Sequence, residues 1–463
     1  MCELLVGLAD VTVLGVDDVG DRVTVVIETR GPRPLCVGCG AVPKVKDRDP
    51  VLLVDLPVFG RRSRLLWRKH RWRCDTQSCA VNTWTLNVPA IAASRLALTD
   101  RAGRWVTLQV GRHGRSVSDV ASELGCDWHT VNDAVQAYGE ALLDDPERVG
   151  DVNALGLDET PFVRRGERHR KNWSTSIVDV RRGVLLDMIE GRDAAPSISW
   201  LAARTAAWRK GIEWATLDLS GPYRKVFDTM LPAAGQIADP FHLIKVANTA
   251  MDECRRRVQN DTLGHRGRKD DPLYRCRRLL TMADERLDEN GKTKLVGLLE
   301  AGDPRGEVRM AWHAKEVVRE IYAHTDAVLA MEFVERLGHD LQDGSCPPEI
   351  NRLGRTLLRW KTQITNWHRA HVTNAPTEAM NNLIKRIKRV GFGFRKFTYY
   401  RVRALLYAGR PNWDLLATIT PRWGGMRIVA GQAAGAMVTL KPSSSIWRES
   451  RRARRSGSSR RTK

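Results

Sequence analysis

Three carboxylates stand where the chain could hold metal ions. Asp158 closes the apolar run of "ALGLDETPF" and Asp218 that of "WATLDLSGPY", so each is expected at the carboxyl end of a buried strand. Acids at the ends of neighbouring strands converge on one face, where two or three of them can bind hard divalent ions through oxygen. Taken singly, either aspartate would serve as a turn or N-cap residue. Glu378 lies in "TNAPTEAMNNLIKRIKRVGFGFR", on the first turn of a helix predicted to begin near Pro376. A lone glutamate there could equally settle against the helix dipole. What distinguishes it is the sequel: Asn381 and Asn382, then Lys385, Arg386, Lys388 and Arg389, cations suited to phosphate. Asp239 in "GQIADPFHLIK" also ends a strand-like run. It is expected one strand further out, at the rim, capping a helix that starts at Pro240.

A second donor set is made of sulfur. "CVGC" sets Cys36 three positions before Cys39, and "CDTQSC" sets Cys74 five before Cys79. Two such knuckles supply four thiolates to a tetrahedral zinc ion, which stabilises a module too small to fold on its core alone. His70 lies near enough in sequence to compete as a ligand.

These residues need elements to position them. Up to about residue 95, short β-like runs such as "RVTVVIET" and "RRSRLLWRKHRWRC" are broken by Pro and Gly, the pattern of a small β-rich module. In the second run cations alternate with apolar residues, which suits a strand with one face on nucleic acid. Residues 96–145 turn helical: "SVSDVASELGCDWHTVNDAVQAYG" has Ala121, Gly125 and Val131 at helix-turn-helix offsets, with Val117, Val120, Leu124 and Val135 completing a core. The second helix would present His129, Thr130, Asn132 and Asp133 outward to a major groove. From residue 152, strands alternate with helices as in an α/β domain. Residues 243–370 read as helical without strand signals, and the Ser/Arg tail 441–463 has the composition of a disordered segment. The fold class expected is multidomain α+β. Its parts are a zinc-binding module (1–95), a DNA-binding helix-turn-helix (96–145), an α/β catalytic domain in two pieces (146–255 and 365–415) around a helical insertion (256–364), and a C-terminal extension (416–463).

Composition narrows the partner. The 463 residues carry 75 Lys+Arg against 54 Asp+Glu, a net charge of +21, so a polyanion is the expected ligand. No apolar run is long enough to span a membrane, and the acidic start "MCELLVGLADVTVLGVDD" does not read as a secretory signal. Nine cysteines are too few for a disulfide scaffold in a chain this long. A cytoplasmic setting is expected.

The order of the cysteine module, the helix-turn-helix, "LGLDET", "LDLSGPY", "ADPFHLIK" and "NAPTEAMNNLIKRIKRVGFGFR" resembles the bacterial insertion-sequence transposases of the ISL-three family, over about residues 30–410. The resemblance implies an RNase H-like catalytic domain, an acidic triad of Asp158, Asp218 and Glu378, and DNA cleavage and joining at element termini. The triad would hold two Mg2+ ions, or Mn2+, for phosphoryl transfer. The partners implied are double-stranded DNA, both terminal inverted repeats and target, and further copies of the chain assembled on it, near the bacterial nucleoid. The rivals are a non-catalytic DNA-binding regulator and an RNase H-like nuclease that cuts without joining.

Overall fold

A computed structural model describes residues 6–165 and 170–421. The basic tail therefore lies outside the described residues, as does the rest of the C-terminal extension beyond residue 421. The chain divides into two compact units, Met1–Leu142 with Trp413–Lys463, and Leu143–Asn412. Helices of eight residues or more are numbered below.

In the first unit, β1 (Val11–Val19) and β2 (Arg22–Thr29) form a hairpin, as do the longer β3 (Lys44–Val58) and β4 (Arg61–Arg73). The sheet runs β1-β2-β4-β3, with the short β5 (Thr83–Thr85) on the end of β4. Val11, Ile27, Leu53, Leu65 and Trp67 bury one core, and Trp72 and Trp84 bury a second around the cysteines. After α1 (Asp100–Thr107) come α2 (Val117–Leu124) and α3 (Trp128–Leu143). Ser116 caps α2 by accepting from the Asp119 N–H, and Gly125 ends it in the left-handed region at φ 62°. Val117, Val120, Ala121 and Leu124 of α2 are buried, as are Val131, Ala134 and Val135 of α3. Arg64 does not lie on an open strand face: it is buried and donates to the carbonyls of Leu124 and Gly125. A cation at a helix C-terminus satisfies free carbonyls and offsets the dipole, so this arginine is structural.

The second unit is built on a sheet ordered β10-β9-β6-β7-β8. β6 (Ala154–Arg165), β7 (Arg170–Asp179) and β8 (Val184–Glu190) form an antiparallel meander. β9 (Trp214–Leu217) and β10 (Gly235–Ala238) lie parallel to β6 on its other side. Alternation along the strands gives the sheet two apolar faces. Leu157, Ile177 and Leu186 pack into one cluster with α4 (Ala194–Ala202) and α5 (Gly221–Met230). Phe162, Val178, Leu185 and Met188 pack into the other, against α11 (Ala375–Val390) and α12 (Phe397–Ala408).

Between the two halves of this scaffold lies a helical block. It comprises α6 (Pro240–Leu263), α7 (Glu289–Gly302), α8 (Glu307–Glu320), α9 (Ala327–Asp340) and α10 (Pro348–Thr365), with shorter turns between them. The first cluster continues into it without a break, through Leu243, Met251, Leu299, Val334 and Leu357. The expected division after residue 255 falls inside α6, which runs unbroken for 24 residues. Among the described residues no helix is long and apolar enough to cross a membrane.

Candidate active site

Register brings three aspartates level. β6 and β9 pair in parallel with Gly156 opposite Thr216, so two residues further on Asp158 stands beside Asp218. β10 pairs with β9 with Ala238 opposite Leu217, which sets Asp239 on the other side of Asp218. Asp218 and Asp239 directly follow β9 and β10, but Asp158 does not end its strand as expected: β6 continues seven residues further to Arg165, paired with β7, and the carboxylate is accommodated inside it by the Glu159 N–H and Asn381.

The three are held differently. Burial pushes Asp158 up to about 6, against the Glu159 N–H it accepts. Its second oxygen accepts from the Asn381 side chain at 2.6 Å, and Asn381 in turn accepts from the Ser176 hydroxyl at 2.8 Å. Burial also raises Asp218, although the charges of His242 and Lys245 oppose it. Its Oδ1 is buried without a hydrogen-bond partner. Asp239 is spoken for. It caps α6 by accepting from the His242 N–H, accepts from the Asn374 N–H at 2.8 Å, and lies 3.2 Å from His242 Nδ1. Burial works to raise Asp239, but these bonds outweigh it and hold the carboxyl below its ordinary value. The capping role matches expectation, and so does the place one strand further out, since β10 is the edge strand; what differs is that this edge is covered. Asp239 is buried, because α6 and the residues leading into α11 close over it.

Glu378 stands on the first turn of α11. The start of that helix is fixed to the sheet: Asn374 is buried, accepts from the Thr216 hydroxyl at 3.0 Å and donates its N–H to Asp239. The approach is close enough that a Cβ on Gly156 would fall 2.4 Å from Thr377 Oγ1, which is why β6 carries glycine there. Glu378 remains 40% exposed, and its Oε1 lies 3.7 Å from His242 Nε2. His242 thus bridges Asp239 and Glu378, and its bond to Asp239, with the charges of Asp218 and Glu378, raises it above its ordinary value. A cavity of about 420 Å3 opens beside Asp218 and His242, lined further by Lys245, Thr249, Arg352 and Thr356.

Carboxylate oxygens suit a hard divalent cation, and the unpaired Asp218 Oδ1 beside a raised Asp158 is the desolvated charge such an ion would offset. Asp158, Asp218 and Glu378 come together where β9 and β10 end beside the middle of β6, without closing to ligand spacing. Among the described residues only Cys36, Cys39, Cys74 and Cys79 gather three or more His, Cys, Asp or Glu ligand atoms within 4.8 Å. There the Cys36 and Cys79 sulfurs are 3.7 Å apart and those of Cys39 and Cys74 3.6 Å. A tetrahedron of Zn–S bonds has edges of about 3.8 Å, so the four sulfurs fit zinc. The Ala41 N–H draws the Cys39 thiol down, whereas at Cys79 the Val81 N–H is outweighed by burial and the neighbouring sulfurs, which push that thiol up, so without a metal the cluster favours one thiolate beside its other thiols. His70 is not among them: it faces Glu28 at 2.9 Å.

The residues expected to read DNA divide. His129 is exposed and Thr130 and Asp133 are half-buried, but Asn132 is 2% exposed and does not face outward. It follows Val131 directly and precedes Val135 by three positions, so on a helix whose buried stripe also takes in Tyr138 and Leu142 it falls at the stripe's edge. Lys385, Arg386 and Arg389 are exposed on α11, and Lys388 Nζ donates to the Pro161 carbonyl. Sequence reasoning missed Asn381 and His242 as site residues. The available signal was spacing: Asn381 lies one turn after Glu378 and shares its face.

Comparison with known proteins covers this region. A family model for DDE transposases of the ISL3 type, described as "Transposase", matches residues 155–404. The transposase for insertion sequence element IS1001 of Bordetella parapertussis is 23% identical over 405 residues, 84% of this chain and 92% of that protein. The transposase for insertion sequence element IS1557 of Mycobacterium tuberculosis is 26% identical over 288 residues, 58% of this chain and 63% of that protein.

Proposed function

This chain belongs to the ISL3 family of transposases, and on that premise we propose that it binds the terminal inverted repeats of an insertion sequence and catalyses DNA strand cleavage and strand transfer. The observation that carries the reading is the parallel register that sets Asp158 and Asp218 side by side, with Asp218 Oδ1 unpaired and Glu378 on a helix tied to the same strands. The strand order, an antiparallel meander flanked by two parallel strands, suits an RNase H-like domain.

Asp158, Asp218 and Glu378 would hold two Mg2+ ions, or Mn2+, which when bound supply charge stabilisation and an activated oxygen for in-line phosphoryl transfer. Asn381 fixes one oxygen of Asp158, leaving that carboxylate a single orientation. His242, itself set by Asp239, orients Glu378 and keeps the metal-free acids from repelling one another. Cys36, Cys39, Cys74 and Cys79 would hold structural zinc. His129, Thr130 and Asp133 would face the repeats, with Asn132 beneath them, and Lys385, Arg386, Lys388 and Arg389 would neutralise phosphates without reading sequence. Two element ends have to meet, so the active form is an assembly of more than one copy on DNA, in the bacterial cytoplasm.

The test compares Asp218→Asn with Asp239→Asn for Mg2+-dependent nicking of a duplex carrying the repeats that flank the gene, at matched folded fraction. Asp218→Asn is expected to abolish nicking and spare DNA binding. Asp239→Asn is expected to lose about 2 to 3 kcal/mol of stability, because the amide cannot accept from both the Asn374 N–H and His242, and to retain measurable nicking. An inactive Asp239 variant beside an active Asp218 variant would overturn the assignment. Nicking without any joined product would favour a nuclease.

A further inference from the structure

Helix α11 stops in a closed turn. The Phe392 N–H donates to the Arg389 carbonyl at 3.0 Å and the Gly393 N–H to the Lys388 carbonyl at 2.9 Å, the bond pair of a Schellman motif. The residue at its left-handed position is Phe392, at φ 50°. Glycine is the usual occupant, because any Cβ there crowds the backbone. Glycines stand on both sides, at 391 and 393, yet a phenylalanine takes the strained place. Phe392 is 96% exposed, so packing does not offset that strain. The packing is done by Phe394, whose ring lies 5.1 Å from that of Tyr400 in the cluster beneath α11 and α12. A large ring held in water on strained backbone contributes nothing to folding, and such an outlier points to function.

Its surroundings say what it meets. Phe392, Lys385, Lys388, Arg389 and Gly393 line an open concavity of about 600 Å3. No Asp or Glu occurs between Glu378 and Asp414, so the only charges this segment brings to the surface are cations. Lys388 is anchored to β6 through the Pro161 carbonyl at 2.7 Å, which fixes this end of the helix to the strand that carries Asp158. Cations around a projecting apolar ring suit a nucleic acid whose bases have been parted: the cations take phosphates and the ring takes the place of a stacked base.

We propose that Phe392 is a wedge that enters the DNA and stacks against an unpaired base. The proposal rests on the reading of the chain as a transposase and adds to it where the duplex is opened. Fourteen positions separate Glu378 from Phe392, the first twelve of them within α11. At 1.5 Å per residue that is about 21 Å, or roughly six base steps. The step that opens therefore lies within about six steps of the bond that is cut.

The experiment uses the full chain and a duplex of the flanking repeat with 2-aminopurine placed, in separate probes, at each step up to about ten from the cleavage site. Wild type is expected to raise the fluorescence most at one step within about six of the cleavage site. Phe392→Gly is expected to abolish that rise and weaken binding about ten-fold. Its salt dependence should stay unchanged and its melting temperature equal to or above wild type, because glycine relieves the turn. Phe392→Trp should keep the rise. Lys385→Ala with Arg389→Ala should flatten the salt dependence instead. A Phe392→Gly variant that retains the rise, or that melts well below wild type, overturns the wedge. So does a ring needed for binding phosphatidylserine vesicles and not for duplex. Failure of wild type to bind any duplex at low salt would instead overturn the transposase reading beneath it.

Discussion

At Asp158 a single proton links the site to the stability of the unit. Burial holds its carboxyl at about 6 against an ordinary 3.8. Between those values the folded chain keeps a proton that the unfolded chain has released, so stability falls as pH rises through the window and stays lower above it. The full cost is about 3 kcal/mol. Asp158→Asn has no such proton. In chelator, its melting temperature is expected to match wild type near pH 4 and to exceed it increasingly up to pH 6, with millimolar Mg2+ then raising wild type and leaving the variant where it was. A gap that is constant with pH would show that burial of this carboxylate costs nothing. What the sequence disclosed at this scale was position, since Asp158 and Asp218 end apolar runs that a reader can see. It could not disclose partners. Asn381 meets Asp158 across 223 residues of chain, and no local pattern encodes such a contact. Asn132 failed for a related reason: periodicity located the stripe of α3 but not its width.

Among the elements, the sheet is fastened to both its helical layers through one buried acid. Asp187 on β8 accepts from Arg401 of α12 through both oxygens, at 2.6 and 2.9 Å, and from Trp200 of α4 at 2.8 Å. Asp187→Ala leaves the arginine and the indole without their partner and is expected to destabilise the unit by about 3 to 5 kcal/mol. Urea denaturation followed by tryptophan fluorescence measures it, and a loss below about 1 kcal/mol would mean that water replaces the carboxylate freely. The cysteine module makes a separate prediction. Cys74→Ser is expected to drop bound zinc from one per chain to none by elemental analysis and to lower the melting temperature of the N-terminal unit; full zinc in the variant would remove Cys74 from the ligand set. Strands β2 and β4 were legible as β-like runs, whereas β6 was legible only up to Asp158, because the polar and Pro-containing residues after it carry no apolar run. The four-residue β9 and β10 were legible mainly by the aspartates that follow them. The π-helical turn at Leu108–Arg112 was not legible, because tertiary packing rather than periodicity sets it. Nor was the inward turn of Arg64, whose type says solvent and whose partners are carbonyls some sixty residues on.

For the whole molecule, charge and length decide more than any one contact. The net charge of +21 is spread over the chain, and the tail 441–463 concentrates part of it. Deleting that tail is expected to weaken binding to repeats and to unrelated duplex by the same factor and to reduce the slope of log affinity against log salt, since each phosphate contact contributes about 0.9 to it. An unchanged slope would show that the tail does not touch the backbone. The joint between scaffold and helical block was not legible in the sequence, because α6 spans it as one element. That continuity has a mechanical consequence. A 24-residue rod is about 36 Å long, so a tilt of about 5° about its capped end moves the far end by about 3 Å. The capped end carries His242, poised against Glu378, and the far end is packed into the block. A shift of about 3 Å at the far end therefore reaches His242 only as a rotation of the same few degrees about its Asp239 cap.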